Sequence, residues 1–356
     1  MVENLFILGA GASKDCGAPL MNNFLDVADD LLRAGQFDHV KEEIESVFRL
    51  KSELGYLYNK SNMDIHNIES LFGAIEMGRI IDRLVEHEGK SIENLRSNLI
   101  SLIVQTLEES ILLVRQENDL PSLKGSYHMF VDYIEELGYD KCSIITFNYD
   151  LALDYALYKK EYGINYGFSQ EGGKNIQLLK LHGSTNWALN AENQIKPIYF
   201  HEFKRYPDIP YKKVSGLNNF TIQIGTRINE FAEIIFKESG FKNVPLIVPP
   251  TWNKNMYHGD LSLVWKKAAE ALRNARNIYV IGYSLPESDA FFRYLFALGT
   301  LSKEEIKKFW VYDPNNDGTV KSRFEKLVGN GIRHRFKYYS MTFNEMLYKV
   351  RGIPRL

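Results

Sequence analysis

The chain has 356 residues, 45% hydrophobic and 25% charged, which is room for about two domains with a sizeable buried core. A net charge of −2 excludes a global electrostatic pull toward nucleic acid or an anionic membrane. Two cysteines, Cys16 and Cys142, exclude a disulfide framework and a four-cysteine zinc site alike.

The first residues lack the basic stretch and long apolar run of a signal peptide, and no apolar run nears the roughly 18 residues of a membrane span. A cytoplasmic protein with no membrane and no direct nucleic-acid contact is expected. In chain order, six apolar runs read as strands: residues 5–8, 143–147, 178–181, 246–248, 278–281 and 309–312. Each is continuous rather than alternating, the pattern of a parallel sheet covered on both faces. Several end in small or polar residues, at Gly9-Ala10-Gly11, Asn148, His182-Gly183, Gly282 and Asp313. In an open parallel sheet, ligands sit beyond the carboxyl ends of the strands. The expected fold class is therefore α/β, a Rossmann-like parallel sheet with a large helical insertion subdomain.

The sheet domain is expected to be discontinuous, from 1–19 and 137–340. Residues 20–136 exceed any crossover helix, and Ile92, Leu95, Leu99, Leu102 and Ile103 follow helical spacing, so they predict a helical insertion subdomain. Residues 186–243, rich in Tyr, Phe and Lys, form an irregular insertion within the sheet domain. Leu261, Val264, Trp265, Ala268 and Leu272 share one helical face, and Phe292, Leu295 and Phe296 another, on a helix over 289–298.

Phe6-Ile7-Leu8 runs into Gly9-Ala10-Gly11-Ala12-Ser13, which reads as a strand, a tight turn and then a helix. Glycines let the backbone approach a phosphate, and a helix N-terminus offers free N–H groups and a favourable dipole. The Rossmann fingerprint is incomplete, because its third glycine position holds Lys14. Further on, Asn148 and Asp150 follow one strand and His182 another. An imidazole titrating near neutrality can take a proton from water or a ribose hydroxyl, and an amide can orient either. Asn148 and Asp150 read equally as an Asx turn capping the next helix, and His182 as a packed histidine.

The order of Gly9-Ala10-Gly11-Ala12-Ser13, then Thr146-Phe147-Asn148-Tyr149-Asp150, then His182-Gly183 resembles the sirtuin family. Gly282-Tyr283-Ser284-Leu285 and Val311-Tyr312-Asp313-Pro314-Asn315 look like that family's ribose and adenosine segments. The resemblance implies that NAD is bound as a substrate. Gly9, Ala10, Gly11, Ala12 and Ser13 would cradle its pyrophosphate. Asn148 would hold the nicotinamide ribose or a water, Asp150 would meet the carboxamide, and His182 would be the base. Gly282, Ser284, Asp313 and Asn315 would hold the adenosine side. The family's deacylases carry a four-cysteine zinc ribbon and a Gly-Ile-Pro-Asp-Phe-Arg segment. Here two cysteines and Cys16-Gly17-Ala18-Pro19-Leu20-Met21 stand instead. No zinc is expected, and deacylation is disfavoured.

The pattern is similar to the sirtuin-like domains of bacterial anti-phage defence proteins, and residues 247–252 and 281–289 share that likeness. This branch implies a regulated NAD glycohydrolase, self-association, and a HerA-type hexameric ATPase as a partner. A sensor or assembly subunit that binds NAD or ADP-ribose without turnover is the alternative. Asp64, His66 and Glu69 suggest a capped helix start rather than a metal site. Lys321, Arg323, Lys326, Arg333, Arg335 and Lys337 read as a solvated face. The aromatic stretch 199–211 fits either a subunit contact or a packed lobe.

Overall fold

The computed structural model describes residues 3–56, 63–116, 119–248 and 259–354. Its first half contains β1 (Asn4–Leu8), α1 (Phe24–Arg33), α2 (Lys41–Tyr56), α3 (Ile68–Ile81), α4 (Lys90–Ser110), β2 (Leu112–Gln116), β3 (Asp119–Leu123), α5 (Tyr127–Leu137), β4 (Cys142–Thr146), α6 (Ala152–Lys159), β5 (Gly163–Asn165) and β6 (Asn175–Lys180). There follow β7 (Trp187–Leu189), β8 (Ile195–Pro197), β9 (Tyr211–Lys213), β10 (Asn219–Ile222), α7 (Ile228–Phe236), α8 (Asp260–Asn274), β11 (Asn277–Ile281), α9 (Ala290–Gly299), β12 (Lys308–Tyr312), α10 (Thr319–Leu327), β13 (Phe336–Tyr339) and α11 (Phe343–Arg351).

The main sheet has seven strands in the order β13-β12-β11-β1-β4-β6-β5, every pair parallel. The α/β class expected from the continuous apolar runs is thus present. All five residues of β1 and of β4 are buried. Each fully buried Leu, Ile or Phe there stabilises the fold by about 1.5–3 kcal/mol. Helices α5, α6, α8, α9, α10 and α11 bury apolar faces in the same core, through Phe130, Ala156, Val264, Phe292, Phe324 and Met346 among others.

The register decides where the chemistry falls. Leu8 pairs with Thr146 on one side and Ile281 on the other; Thr146 pairs with Lys180, and Ile281 with Tyr312. The residues just beyond these positions lie along one rim of the sheet. The chain leaves β1 toward β4 and leaves β11 toward β12, so the topological switch point lies between β1 and β11.

Several expectations need correction. The apolar run 246–248 is not a strand of the sheet. Ile247 makes an isolated antiparallel bridge to Gly183, and Val248 N–H donates to the His182 carbonyl. A short buried apolar run looks the same whether it joins a sheet or crosses beside one. Edge strands β5 and β13 went unread because one is three residues long and the other only half-buried.

Helices α1–α4 pack around a core of their own, which includes Phe24, Val47, Phe72 and Leu99. Helix α5, placed in that insertion by sequence, packs on the main sheet, as does α11 beyond residue 340. Strands β2 and β3 leave the helical segment altogether and pair with β10 and β9 in a four-stranded sheet, β3-β2-β10-β9. The aromatic stretch packs there, with Phe200 and Phe203 buried beside Phe231.

Candidate functional site

The glycine turn closes against the neighbouring strand end rather than opening a long helix. Two 3-10 turns follow β1, Ala10–Ala12 and Lys14–Cys16, and the first α-helix begins only at Phe24. Gly11 N–H donates to the Gly282 carbonyl at 2.9 Å. A Cβ on Gly9 would lie 2.6 Å from that same carbonyl oxygen, and one on Gly282 would lie 2.5 Å from Ala12 N. Gly282 also holds a left-handed φ of 59°. These glycines therefore permit one backbone to approach another at the switch point. The N–H groups of Gly9, Gly11, Ala12 and Ser13 all donate within the chain, so a phosphate would not meet the open row of amides that a helix N-terminus offers.

Asn148, just past β4, fastens this turn to the next strand. Its Nδ2 donates to the Gly9 carbonyl and to Ser13 Oγ, both at 3.0 Å. Ser13 Oγ lies 2.9 Å from the Tyr127 hydroxyl, which burial drives well above its ordinary pKa and keeps protonated. The amide hydrogens thus face the turn, which leaves Oδ1 as the acceptor that Asn148 can offer a ligand. Asp150 is buried, and its Oδ1 accepts the Ala152 N–H at 2.9 Å, the Asx arrangement that starts α6. Burial raises the Asp150 pKa against the pull of Lys180.

Lys180, at the end of β6, is 1% exposed, and its ammonium is fully partnered. It donates to Asp154 Oδ2 at 2.9 Å, to the Asp150 carbonyl at 2.7 Å and to Ser184 Oγ at 2.7 Å. Ser184 donates to Asn186 Oδ1, and Asn186 Nδ2 reaches the Tyr166 hydroxyl and the Ile198 carbonyl. Tyr166 in turn donates to Asp154. This closed polar network fixes the exits of β4 and β6 together. Sequence reading missed it because a lysine or tyrosine outside a motif gives no sign of being buried.

His182 stands within that fixed segment and is 4% exposed. Its Nε2 lies 3.2 Å from Asp289 Oδ1, and the Tyr283 hydroxyl donates to Asp289 Oδ2 at 2.9 Å. Phe147 meets the imidazole edge-on at 5.2 Å and stacks on Tyr283 at 4.1 Å. Phe147 therefore joins the rim from β4 to β11. From the helical lobe, Asn67 caps α3 by accepting the Glu69 N–H at 2.8 Å, as the sequence suggested. The Glu69 side chain does something the sequence did not suggest: it accepts Ser288 Oγ at 2.5 Å. Burial first, and the charge of Asp289 second, raise the Glu69 pKa.

The far end of the rim carries the remaining candidates. Ser284 is half-buried, and its carbonyl accepts Arg323 Nη1 at 3.2 Å. Asp313 Oδ1 accepts the Asn315 N–H at 2.9 Å, and the Tyr338 hydroxyl bonds the carbonyls of both residues. Burial raises the Asp313 pKa. Asn315 Oδ1 is buried without a partner among the described residues. One sharp turn thus places two polar side chains beyond β12. Of the segment 247–252, Ile247 and Val248 flank the β6 exit, and Pro249, Pro250, Thr251 and Trp252 lie outside the described residues.

No family model and no curated protein matches this chain. Solved structures similar to it include Sir2 in complex with an inhibitor, 2′-O-acetyl-ADP-ribose and a deacetylated peptide. That match has 13% identity over 99% of this chain and 95% of the other, with a TM-score of 0.40. A mutant Sir2 homologue complexed with ADP-ribose matches at 12% identity over 99% and 91%, with a TM-score of 0.43. Sir2 with a peptide and NAD+ matches at 12% over 99% and 94%, with a TM-score of 0.39.

Proposed function

We propose that the chain is an NAD glycohydrolase whose reacting groups are Asn148 and His182. The observation that carries the reading is the parallel register. It brings the Gly9–Ser13 turn, an asparagine amide and a buried histidine to the carboxyl ends of three adjacent strands, β1, β4 and β6, beside the switch point. The turn and Gly282 would approach the dinucleotide's phosphates, and Ser284, Asp313 and Asn315 its adenosine side. The unpartnered Oδ1 of Asn315 suits a ligand donor at that end.

In the reaction, the bond from the ribose C1′ to the nicotinamide nitrogen breaks, and its electron pair neutralises the pyridinium ring. A water attacks C1′ and gives its proton to His182, so the products are nicotinamide, ADP-ribose and a proton. Asn148 Oδ1 would orient that water or the ribose. Preorganised dipoles at a site this buried would supply much of the rate. The anti-phage role, self-association and a HerA-type ATPase partner belong to the same proposal and rest on the motif resemblance. Among the described residues, no helix is long and apolar enough to cross a membrane.

Nicotinamide and ADP-ribose release from NAD, followed by proton NMR, tests the reading. Turnover by the native chain, lost in both His182→Ala and Asn148→Ala, is the expected result. Undiminished turnover in both variants would remove these residues from the chemistry. Binding of NAD without turnover would favour the sensor alternative.

A further inference from the structure

Asp289 stands at the N-cap of α9, where an aspartate ordinarily accepts a helix N–H, yet its side chain makes no capping bond. Both carboxylate oxygens turn away from the helix, Oδ1 to His182 Nε2 and Oδ2 to the Tyr283 hydroxyl. All three residues are buried. The loop that carries Asp289 also contains Leu285, a buried branched residue held at a left-handed φ of 50°. Such a backbone costs about 1–2 kcal/mol and persists only where its surroundings impose it.

We propose that Asp289 is the positioning residue of His182. The proposal rests on the reading of His182 as the site's base. The carboxylate holds the imidazole as the Nε2–H tautomer, which leaves Nδ1 bare as the atom that takes the proton. It then stabilises the imidazolium that forms. The logic is that of the buried aspartate in a Ser–His–Asp triad, with the two ring nitrogens exchanged. Phe147 and Tyr149, with ring centres 5.2 and 6.3 Å from the imidazole, set its plane. Tyr283 donates at all ordinary pH, since burial and the adjoining Asp289 drive its pKa far up. Among the described residues, the other charged groups facing the pair are Glu69 from α3, held by Ser288, and Arg293 from α9, whose charge acts on Tyr283.

The test uses the full chain and the variants Asp289→Asn and Tyr283→Phe, each checked for native melting. Two-dimensional 15N–1H spectra of histidine-labelled protein report the tautomer, and the His182 signal is the one lost in His182→Gln. The native chain should show the Nε2–H form, and Asp289→Asn should shift toward Nδ1–H because its amide can donate to Nε2. In NAD turnover, Asp289→Asn should lower kcat by roughly 10^4-fold, the loss known for an orienting aspartate, with KM little changed. Asp289→Glu should restore part of it, and Tyr283→Phe should keep the tautomer.

An Nδ1–H native imidazole, or a tautomer unmoved by Asp289→Asn, would overturn the proposal. So would a kcat within a few-fold of native while His182→Ala is dead. If the native chain does not turn over NAD, the glycohydrolase reading fails by itself, and the tautomer still decides whether Asp289 positions His182.

Discussion

Replacing Lys180 with methionine isolates the polar network that fixes the rim. Methionine nearly matches the lysine stem in volume, so the cavity cost is small and the loss is chiefly electrostatic. Three buried acceptors lose their donor: Asp154 Oδ2, the Asp150 carbonyl and Ser184 Oγ. Asp154 is 1% exposed and keeps only the Tyr166 hydroxyl among these partners. Breaking one side of a buried pair costs about 3–5 kcal/mol, a large share of a typical stability of roughly 5–15 kcal/mol. Urea unfolding of the native chain, Lys180→Met, Asp154→Leu and the double variant forms a complete cycle. The double variant leaves neither member of the pair as a lone buried charge and should recover part of the single loss, while the Asp150 carbonyl and Ser184 Oγ stay without the lysine donor. A loss below about 1 kcal/mol for Lys180→Met, or a double variant as unstable as the two singles added, would refute the reasoning. The same ammonium holds both neighbours of the His182 segment, so NAD turnover should fall in Lys180→Met even at temperatures where the variant is folded.

Gly282→Ala should destabilise by about 1–3 kcal/mol, because a Cβ would meet Ala12 N and Gly11 C at 2.5 Å in a left-handed backbone; thermal unfolding equal to native would show that the turn yields freely. Glu108 is buried against the N–H groups of Gly225 and Thr226, and burial pushes its carboxyl up from 4.5 to about 8. The unfolded chain therefore releases this proton first, and its contribution to stability, complete below about 4.5, falls by about 1.4 kcal/mol per pH unit until it levels near 8. Urea titrations across that range should show the slope reduced in Glu108→Gln; an unchanged slope would assign it to other groups. The raised Glu69 carboxyl has the same sign, so Glu69→Gln should leave the protein at least as stable at neutral pH, with any change in NAD turnover marking contact between the helical lobe and the site.

Apolar runs alone marked five of the seven strands of the main sheet, β1, β4, β6, β11 and β12, but not the edge strands β5 and β13 or the four-stranded sheet. Runs such as 5–8 and 278–281 are apolar at every position, the pattern of a strand buried on both faces, although the equally apolar run 246–248 lies beside the sheet and not in it. Gly9, Asn148, His182, Gly282 and Asp313 then had to stand at strand ends. Sequence did not determine the partners of these residues. Asn148 could be read as a cap or as a ligand contact, and only the packed chain shows its amide tied to Gly9 and Ser13, more than 130 residues away. Asp289 read as one more residue at a helix start and Glu69 as part of a cap, while Lys180 stood unmarked within the run 178–181. Tertiary structure alone joined Asp289 to His182, Glu69 to Ser288 and Lys180 to Asp154. The physical reason is range. Periodicity and capping are written in neighbours a few residues apart, whereas a buried carboxylate or ammonium is satisfied by whatever group the sheet register brings to it.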